Sequence, residues 1–198
     1  MQGSRFVPVD CDFCLTSIRH GSRTERTRLA MSWLLCWLRF KHRIGTVGIV
    51  VFDIDDTLVD ADEKKIESVV EVYTQCQEMG LRCAIVTARP ESAENRSETI
   101  AMLRGHGIAN WESLYMMPRS VQVYDAEHIS KYKRSARDDI ETRHIILANV
   151  GDMWHDLVRF PLVGSHKKID EFDHTECGVL FPPMSHGEVA VKLVGHME

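Results

Sequence analysis

The stretch GIVVFDIDDTLVD, residues 48–60, decides how this chain of 198 residues folds. Its apolar part, from Ile49 to Phe52, is typical of a strand that is covered on both faces, as in the parallel sheets of α/β proteins. Aspartates follow directly, and open parallel sheets bind their ligands at the carboxyl ends of the strands. Asp53 and Asp55 are two residues apart, so they lie on the same side of an extended chain. The stretch therefore predicts an α/β domain with a carboxylate site at the end of a central strand.

The other acidic residues of this region have a simpler interpretation. Closely spaced carboxylates repel one another unless a cation, a proton or a charged ligand lies between them. Asp60 and Asp62 are interpreted as part of an acidic turn at the start of a helix. Apolar residues at three- and four-residue steps predict that helix within residues 60–80. Asp53 and Asp55 are therefore the candidates for a functional role.

Downstream of this stretch, apolar strand patterns alternate with helical ones. Strands that alternate with helices of ordinary length form parallel sheets with right-handed crossovers. We therefore expect a doubly wound parallel sheet. Helices are predicted within residues 60–80, 91–104 and 134–143, and strands at residues 82–88, 113–117, 144–150 and 177–181.

The first 45 residues differ from the rest in charge. They carry eight Arg and Lys against three Asp and Glu, whereas the remainder carries 16 against 26. We expect a basic N-terminal extension over residues 1–45, with a short apolar helix at 29–40, and the main domain over residues 46–198. This apolar run is too short to span a membrane, which takes roughly 20 residues. Peripheral contact of the run with a membrane is an alternative to its packing on the domain.

The overall composition narrows the classes of partner. The formal net charge of −5 does not favour bulk nucleic acid, but it is compatible with a phosphorylated substrate. The six scattered cysteines are typical of reduced thiols, and we expect a cytoplasmic protein because no convincing signal peptide is present. Cys11 and Cys14 have the spacing of a zinc pair, but no second pair follows, so incidental thiols are the favoured interpretation.

Three strand ends supply polar side chains to one edge of the predicted sheet. They are Asp53 with Asp55, Thr87, and Asp152 with Asp156. Carboxylate oxygens suit Mg²⁺, which is usually bound by one or two carboxylates together with substrate phosphates. The sequence therefore predicts a hard-cation site at this edge.

Several segments resemble motifs of the haloacid dehalogenase-like (HAD) phosphatases and occur in the same order along the chain. FDIDDTL (52–58) is similar to the Asp-x-Asp-x-Thr nucleophile motif, IVTARP (85–90) to the second motif, and NVGDMWHDL (149–157) to the fourth. The spacing from the lysine to the acidic motif resembles that of the class B acid phosphatase-like branch of subfamily III. The residues with this spacing are YKRSARDDIETRHIILANVGDMWHDL (132–157). The resemblance covers about residues 46–183 and implies a HAD-like Rossmannoid fold.

For the reaction, the resemblance implies a Mg²⁺-dependent phosphomonoesterase. Asp53 is expected to attack phosphorus and form an aspartyl-phosphate. Asp55 is expected to act first as an acid and then as a base. The ligands of Mg²⁺ are expected to be a carboxylate oxygen of Asp53, the backbone carbonyl of Asp55, and Asp152.

The resemblance also implies which residues bind the phosphoryl group. Thr87, Ala88 and Lys133 are expected to contact its oxygens, because this kind of transition state is stabilised mainly by positioning and charge. Asp156 is expected to support the site by orienting the lysine or a water on the metal. Lys131 is the alternative motif lysine, but the spacing to the fourth motif favours Lys133.

The spacing of the motifs bears on the substrate. Only 33 residues separate Asp53 from Thr87, and 45 separate Thr87 from Lys133. Neither interval has room for a cap domain, so we expect an open site with residues 118–130 as a short specificity loop. An open site suits phosphorylated small molecules or exposed phosphates on larger substrates.

Two other functions are compatible with parts of this pattern. A catalytically silent relative would act as a storage, scaffold or interaction protein, as some plant members of the group do, but the nucleophile Asp53 is intact here. A signalling receiver domain also uses Asp, Thr, Lys and Mg²⁺. Its phosphoacceptor follows a middle strand after an earlier acidic pair, whereas Asp53 follows the first strong strand.

Overall fold

The structure is a computed structural model, which describes residues 6–8, 14–18, 21–119, 126–153, 177–181 and 189–192. Within this part of the chain, eight strands form one sheet and four helices accompany it. The strands are β1 Phe6–Pro8, β2 Cys14–Ile18, β3 Ile49–Phe52, β4 Arg82–Pro90, β5 Ser113–Met117, β6 Ile146–Gly151, β7 Cys177–Phe181 and β8 Val189–Lys192. The helices are α1 Arg23–Arg43, α2 Glu67–Glu78, α3 Ala93–Gly105 and α4 Ala126–Glu141.

The sheet has the order β1-β2-β7-β8-β6-β3-β4-β5. Its strands β8, β6, β3, β4 and β5 are parallel neighbours, which confirms the predicted parallel sheet of an α/β fold. Antiparallel pairs then add β7, β2 and β1, so one end of the sheet is mixed. The predicted last strand is β7, but β8 follows it. Strands β1, β2 and β8 were not predicted from the sequence.

Strand β3 is buried on both faces, as its sequence predicts. On one face, Val50 and Phe52 join the main core together with residues of α1, α2 and α3. On the other face, Ile49 and Val51 pack in a smaller core with Ala136 of α4. Helices therefore cover both faces of the parallel strands, which is the doubly wound arrangement.

Helix α1 is longer than the predicted apolar helix at 29–40, and it forms part of the main core. It begins after Ser22, which exchanges hydrogen bonds with Glu25 in a capping box. Trp33 and Trp37 are partly buried against the same core. The residues of α1 that the core buries completely or nearly so are Ala30, Met31, Leu34 and Leu38. Packing on the domain thus accounts for the apolar run. Among the residues that the structure describes, no helix combines the length and apolarity of a membrane span.

Two other helices begin at different residues from those indicated by the sequence, which were the acidic turn at Asp60 and Asp62 for α2 and residue 134 for α4. Helix α2 begins only at Glu67. The Asp60 carboxylate accepts hydrogen bonds from the backbone N–H groups of Asp62 and Lys64, and these bonds hold the preceding residues in a turn. Helix α4 begins at Ala126, so the second part of the expected specificity loop is helical.

Candidate active site

Three neighbouring strands bring predicted site residues to one edge of the sheet. Strand β3 lies between β4 and β6, parallel to both. The backbone N–H of Asp53 donates to the carbonyl of Val150 in β6 at 3.0 Å, so Asp53 continues the hydrogen bonding between β3 and β6. Asp53, Thr87 and Asp152 are only 6%, 0% and 7% exposed. The structure therefore contains a cluster of buried polar side chains where the parallel strands end.

Helix α4 contributes a positively charged side chain, Lys133, to this cluster. The ammonium Nζ of Lys133 lies 2.8 Å from Oδ1 of Asp53, and both side chains are almost completely buried. Two buried charges are tolerated when they are paired at such short range. Lys131 instead points to the surface, where it forms an exposed ion pair with Glu127 at 2.6 Å. Of the two candidate lysines, Lys133 is the one that contacts Asp53.

Asp55 lies in a different environment from Asp53. Its side chain is 55% exposed and contacts Arg89. The Arg89 guanidinium donates from Nη2 at 2.7 Å and from Nε at 3.1 Å, so that both carboxylate oxygens are engaged. Glu63 lies 3.5 Å from the same guanidinium. Burial by itself would lower the pKa of Arg89, but its bonds to Asp55 and the charge of Glu63 raise that pKa overall.

Sequence reasoning did not single out Arg89. The available signal was its position two residues after Thr87, inside the second motif. The register of the β4–β5 pair shifts between Val86 and Pro90, which marks a bulge. In this bulge, the Thr87 hydroxyl accepts a hydrogen bond from the backbone N–H of Arg89 at 3.1 Å, and Ala88 is half-buried. The bulge thus holds Thr87 and Arg89 together at the strand end.

The turn after Asp55 is tied to helix α1. Asp56 has a φ of +54°, a left-handed conformation that Asp tolerates better than most residues. Arg23, in the first turn of α1, donates from Nη2 to Oδ1 of Asp56 at 2.7 Å. This contact joins two segments that lie 33 residues apart, and no local pattern in the sequence indicates it. The N-terminal helix therefore borders the candidate site.

The donor atoms at the strand ends fit a hard cation. Asp53 and Asp152 supply two buried carboxylates, and carboxylate oxygens are ligands that Mg²⁺ prefers. The residues that the structure describes contain no group of three His, Cys, Asp or Glu side chains that could hold a metal. The ligand set expected from the sequence has only two such side chains, Asp53 and Asp152, together with the backbone carbonyl of Asp55. Asp156 and Cys11 lie outside the described residues.

The chain is similar in sequence to one known protein family. Residues 59–172, more than half of the chain, match the family described as HAD superfamily, subfamily IIIB (acid phosphatase). The match begins six residues after Asp53, so it includes Thr87, Lys133 and Asp152 but neither aspartate of the first motif. No curated protein matches the chain.

A solved structure shows the same fold. The class C acid phosphatase from Bacillus anthracis is similar with a TM-score of 0.57 and 14% sequence identity. The similarity covers 78% of this chain and 75% of the other. At that identity the likeness concerns the fold alone.

Proposed function

This chain belongs to subfamily IIIB of the HAD superfamily, the acid phosphatases, and on that premise we propose that it hydrolyses phosphate monoesters through an aspartyl-phosphate on Asp53. The observation that carries the proposal is the buried contact of 2.8 Å between Asp53 and Lys133 at the end of β3. A carboxylate held beside a cation at a strand end can attack a phosphoryl group whose equatorial oxygens the same cation then stabilises.

The proposed reaction has two half-reactions. In the first, a carboxylate oxygen of Asp53 forms a bond to phosphorus while the bond to the leaving oxygen breaks, and Asp55 gives that oxygen a proton. In the second, Asp55 takes a proton from a water molecule, and the water oxygen displaces Asp53 from phosphorus. Inorganic phosphate and the alcohol are the products, and both carboxylates return to their starting state.

Arg89 has to change partner during this reaction. It engages both carboxylate oxygens of Asp55, whereas a general acid must present an oxygen to the leaving group. An incoming phosphoryl group offers the guanidinium a second anion, and Arg binds such oxygens in a forked geometry. We therefore assign Arg89, with Thr87, Ala88 and Lys133, to binding of the phosphoryl oxygens.

The proposal includes Mg²⁺ held by Asp53, Asp152 and the backbone carbonyl of Asp55. When bound there, the cation supplies positive charge that offsets the repulsion between a carboxylate nucleophile and a phosphate. The substrates that suit an uncapped site are phosphorylated small molecules or exposed phosphates on larger substrates. Cys76 and Cys83 are buried free thiols, which suits a reducing compartment such as the cytoplasm.

Hydrolysis of p-nitrophenyl phosphate tests the proposal. We expect turnover with Mg²⁺, loss of turnover in excess chelator, and recovery when Mg²⁺ is restored. Asp152→Ala should lower both the rate and the affinity for Mg²⁺, whereas Asp62→Ala, which removes an exposed loop carboxylate, should behave like the wild type. Full activity in chelator contradicts the role of the metal. A folded protein with neither turnover nor phosphoryl labelling in the presence of Mg²⁺ would instead be a silent scaffold.

A further inference from the structure

A groove borders Arg89 between α3 and the loop that precedes α2. Its volume is about 300 Å³, at the lower end of the range for small-molecule sites. Two contacts help to hold its walls. His106, at the end of α3, lies with Nε2 at 2.7 Å from the backbone oxygen of Glu63, and the Asn95 amide donates to the carbonyl of Pro90 at 3.0 Å. The lining includes Glu63, Arg89, Asn95, Glu98, Thr99 and Met102.

The groove lies where a leaving group would go. In the proposed reaction Asp55 protonates the leaving oxygen, so the leaving group must start within hydrogen-bond reach of that carboxylate. Arg89 joins the two places, because it lines the groove and lies 2.7 Å from Asp55. A leaving group that extends past Asp55 and Arg89 therefore enters the groove.

The chemistry of the lining selects among leaving groups. Glu63 and Glu98 bring negative charge, and Asn95 and Thr99 bring neutral polar groups. Arg89 is the cation of the lining, but Asp55 and Glu63 already lie against its guanidinium. An ammonium group in the groove would meet carboxylate acceptors, whereas a carboxylate or a second phosphate would be repelled.

We propose that this groove is the leaving-group subsite and that it favours the phosphate esters of small amino alcohols over esters that carry a second anion. The inference rests on the proposed phosphatase function and adds the class of substrate to it. Glu98, on the exposed side of α3, is its specificity-determining residue, since no ion pair in the described part of the chain neutralises it.

Three two-carbon substrates of similar size isolate the effect of charge. They are 2-aminoethyl phosphate, ethyl phosphate and phosphoglycolate, whose leaving groups carry an ammonium, no charge and a carboxylate. We expect kcat/KM to fall in that order by about fivefold at each step, the scale of one charge contact in a wet site at low ionic strength. Raising the salt to about 0.5 M should shrink the differences.

A matched pair of variants tests whether the groove causes the preference for the ester with an ammonium group. Glu98→Gln should lower the ratio of kcat/KM between 2-aminoethyl phosphate and ethyl phosphate by about threefold to fivefold. Glu94→Gln removes an exposed carboxylate from the first turn of the same helix without touching the groove, so it should leave the ratio and the turnover of p-nitrophenyl phosphate unchanged.

The outcomes separate this inference from the proposed function. Turnover of p-nitrophenyl phosphate together with equal kcat/KM values across the three substrates would overturn the subsite and leave the phosphatase standing. An equal loss of the ratio in Glu94→Gln and Glu98→Gln would also overturn it, because the preference would then come from the overall charge of the protein. Absence of any phosphatase turnover would overturn both.

Discussion

Two ion pairs at the end of β3 have opposite environments. Lys133 and Asp53 are 3% and 7% exposed in their side chains, whereas Arg89 and Asp55 are 21% and 55% exposed. A buried pair is fixed, because separating it would leave an uncompensated charge in a medium of low dielectric. An exposed pair can exchange partners with water or a ligand at small cost. In the proposed mechanism, this difference would keep the Asp53 carboxylate fixed for attack and leave the Asp55 carboxylate able to transfer protons.

Replacing each carboxylate in turn should have the largest effect and tests whether Asp53 and Asp55 have different roles. Asp53→Asn should abolish turnover and covalent labelling, since an amide cannot replace the attacking oxygen. Asp55→Asn should lower kcat by about a hundredfold or more, the usual scale for a general acid and base. With an activated aryl phosphate, the second variant should still accept one phosphoryl group on Asp53, measured by the mass of the intact protein. Labelling of Asp53→Asn would show that another residue is the nucleophile.

Replacing each lysine of α4 tests whether the buried Lys133, and not the exposed Lys131, supports stability and turnover. Lys133→Ala leaves the Asp53 carboxylate buried without this partner, so we expect a loss of about 3–5 kcal/mol in the free energy of unfolding together with a large fall in kcat. Lys131→Ala removes an exposed ion pair with Glu127, and such a pair is worth about 0.3–0.5 kcal/mol. Denaturant unfolding and aryl phosphate kinetics measure both effects. The reverse result, an inactive Lys131→Ala and an active Lys133→Ala, would move the motif lysine by two residues.

If Arg89 exchanges Asp55 for the phosphoryl group as proposed, its removal should affect substrate binding more than folding. Arg89→Ala should raise KM for an aryl phosphate by about tenfold, the scale of one charge-assisted hydrogen bond, with little change in melting temperature. The matched control is Arg82→Ala at the other end of the same strand, where the side chain pairs with Glu112 on the surface. Equal KM values for the two variants would indicate that Arg89 only holds Asp55.

The smallest expected effect concerns Arg23 and Asp56. Their side chains are partly exposed, so Arg23→Ala should lower the free energy of unfolding by only about 0.5–1 kcal/mol. The control is Lys64→Ala, which removes the much more exposed pair with Asp62 and should change stability less. Thermal unfolding of these two variants, compared with Lys133→Ala, measures whether the loss of stability follows the burial of the ion pair. A drop in stability as large as that of Lys133→Ala would contradict the ranking by exposure.

Some features were readable in the sequence because their causes are local. The strand at β3 follows from four consecutive apolar residues, and the position of Asp53 at its end follows from the way parallel strands meet at one edge. The main strands β4, β5 and β6 were predicted for the same reason. The predicted choice of Lys133 over Lys131 came from motif spacing, and the structure brings Lys133 to Asp53.

By itself, then, the sequence determined the α/β class, the parallel strands and the cluster of polar residues at their ends, since hydrophobic period and strand-end position act over a few residues. Only the tertiary structure decided that α1 joins the main core, that short strands extend the sheet, and that Arg89 engages Asp55. These features depend on contacts between segments far apart in the chain: Arg89 and Asp55 are 34 positions apart, and Arg23 and Asp56 are 33 positions apart. The energy of such contacts depends on burial and approach in the folded chain, which no local pattern specifies.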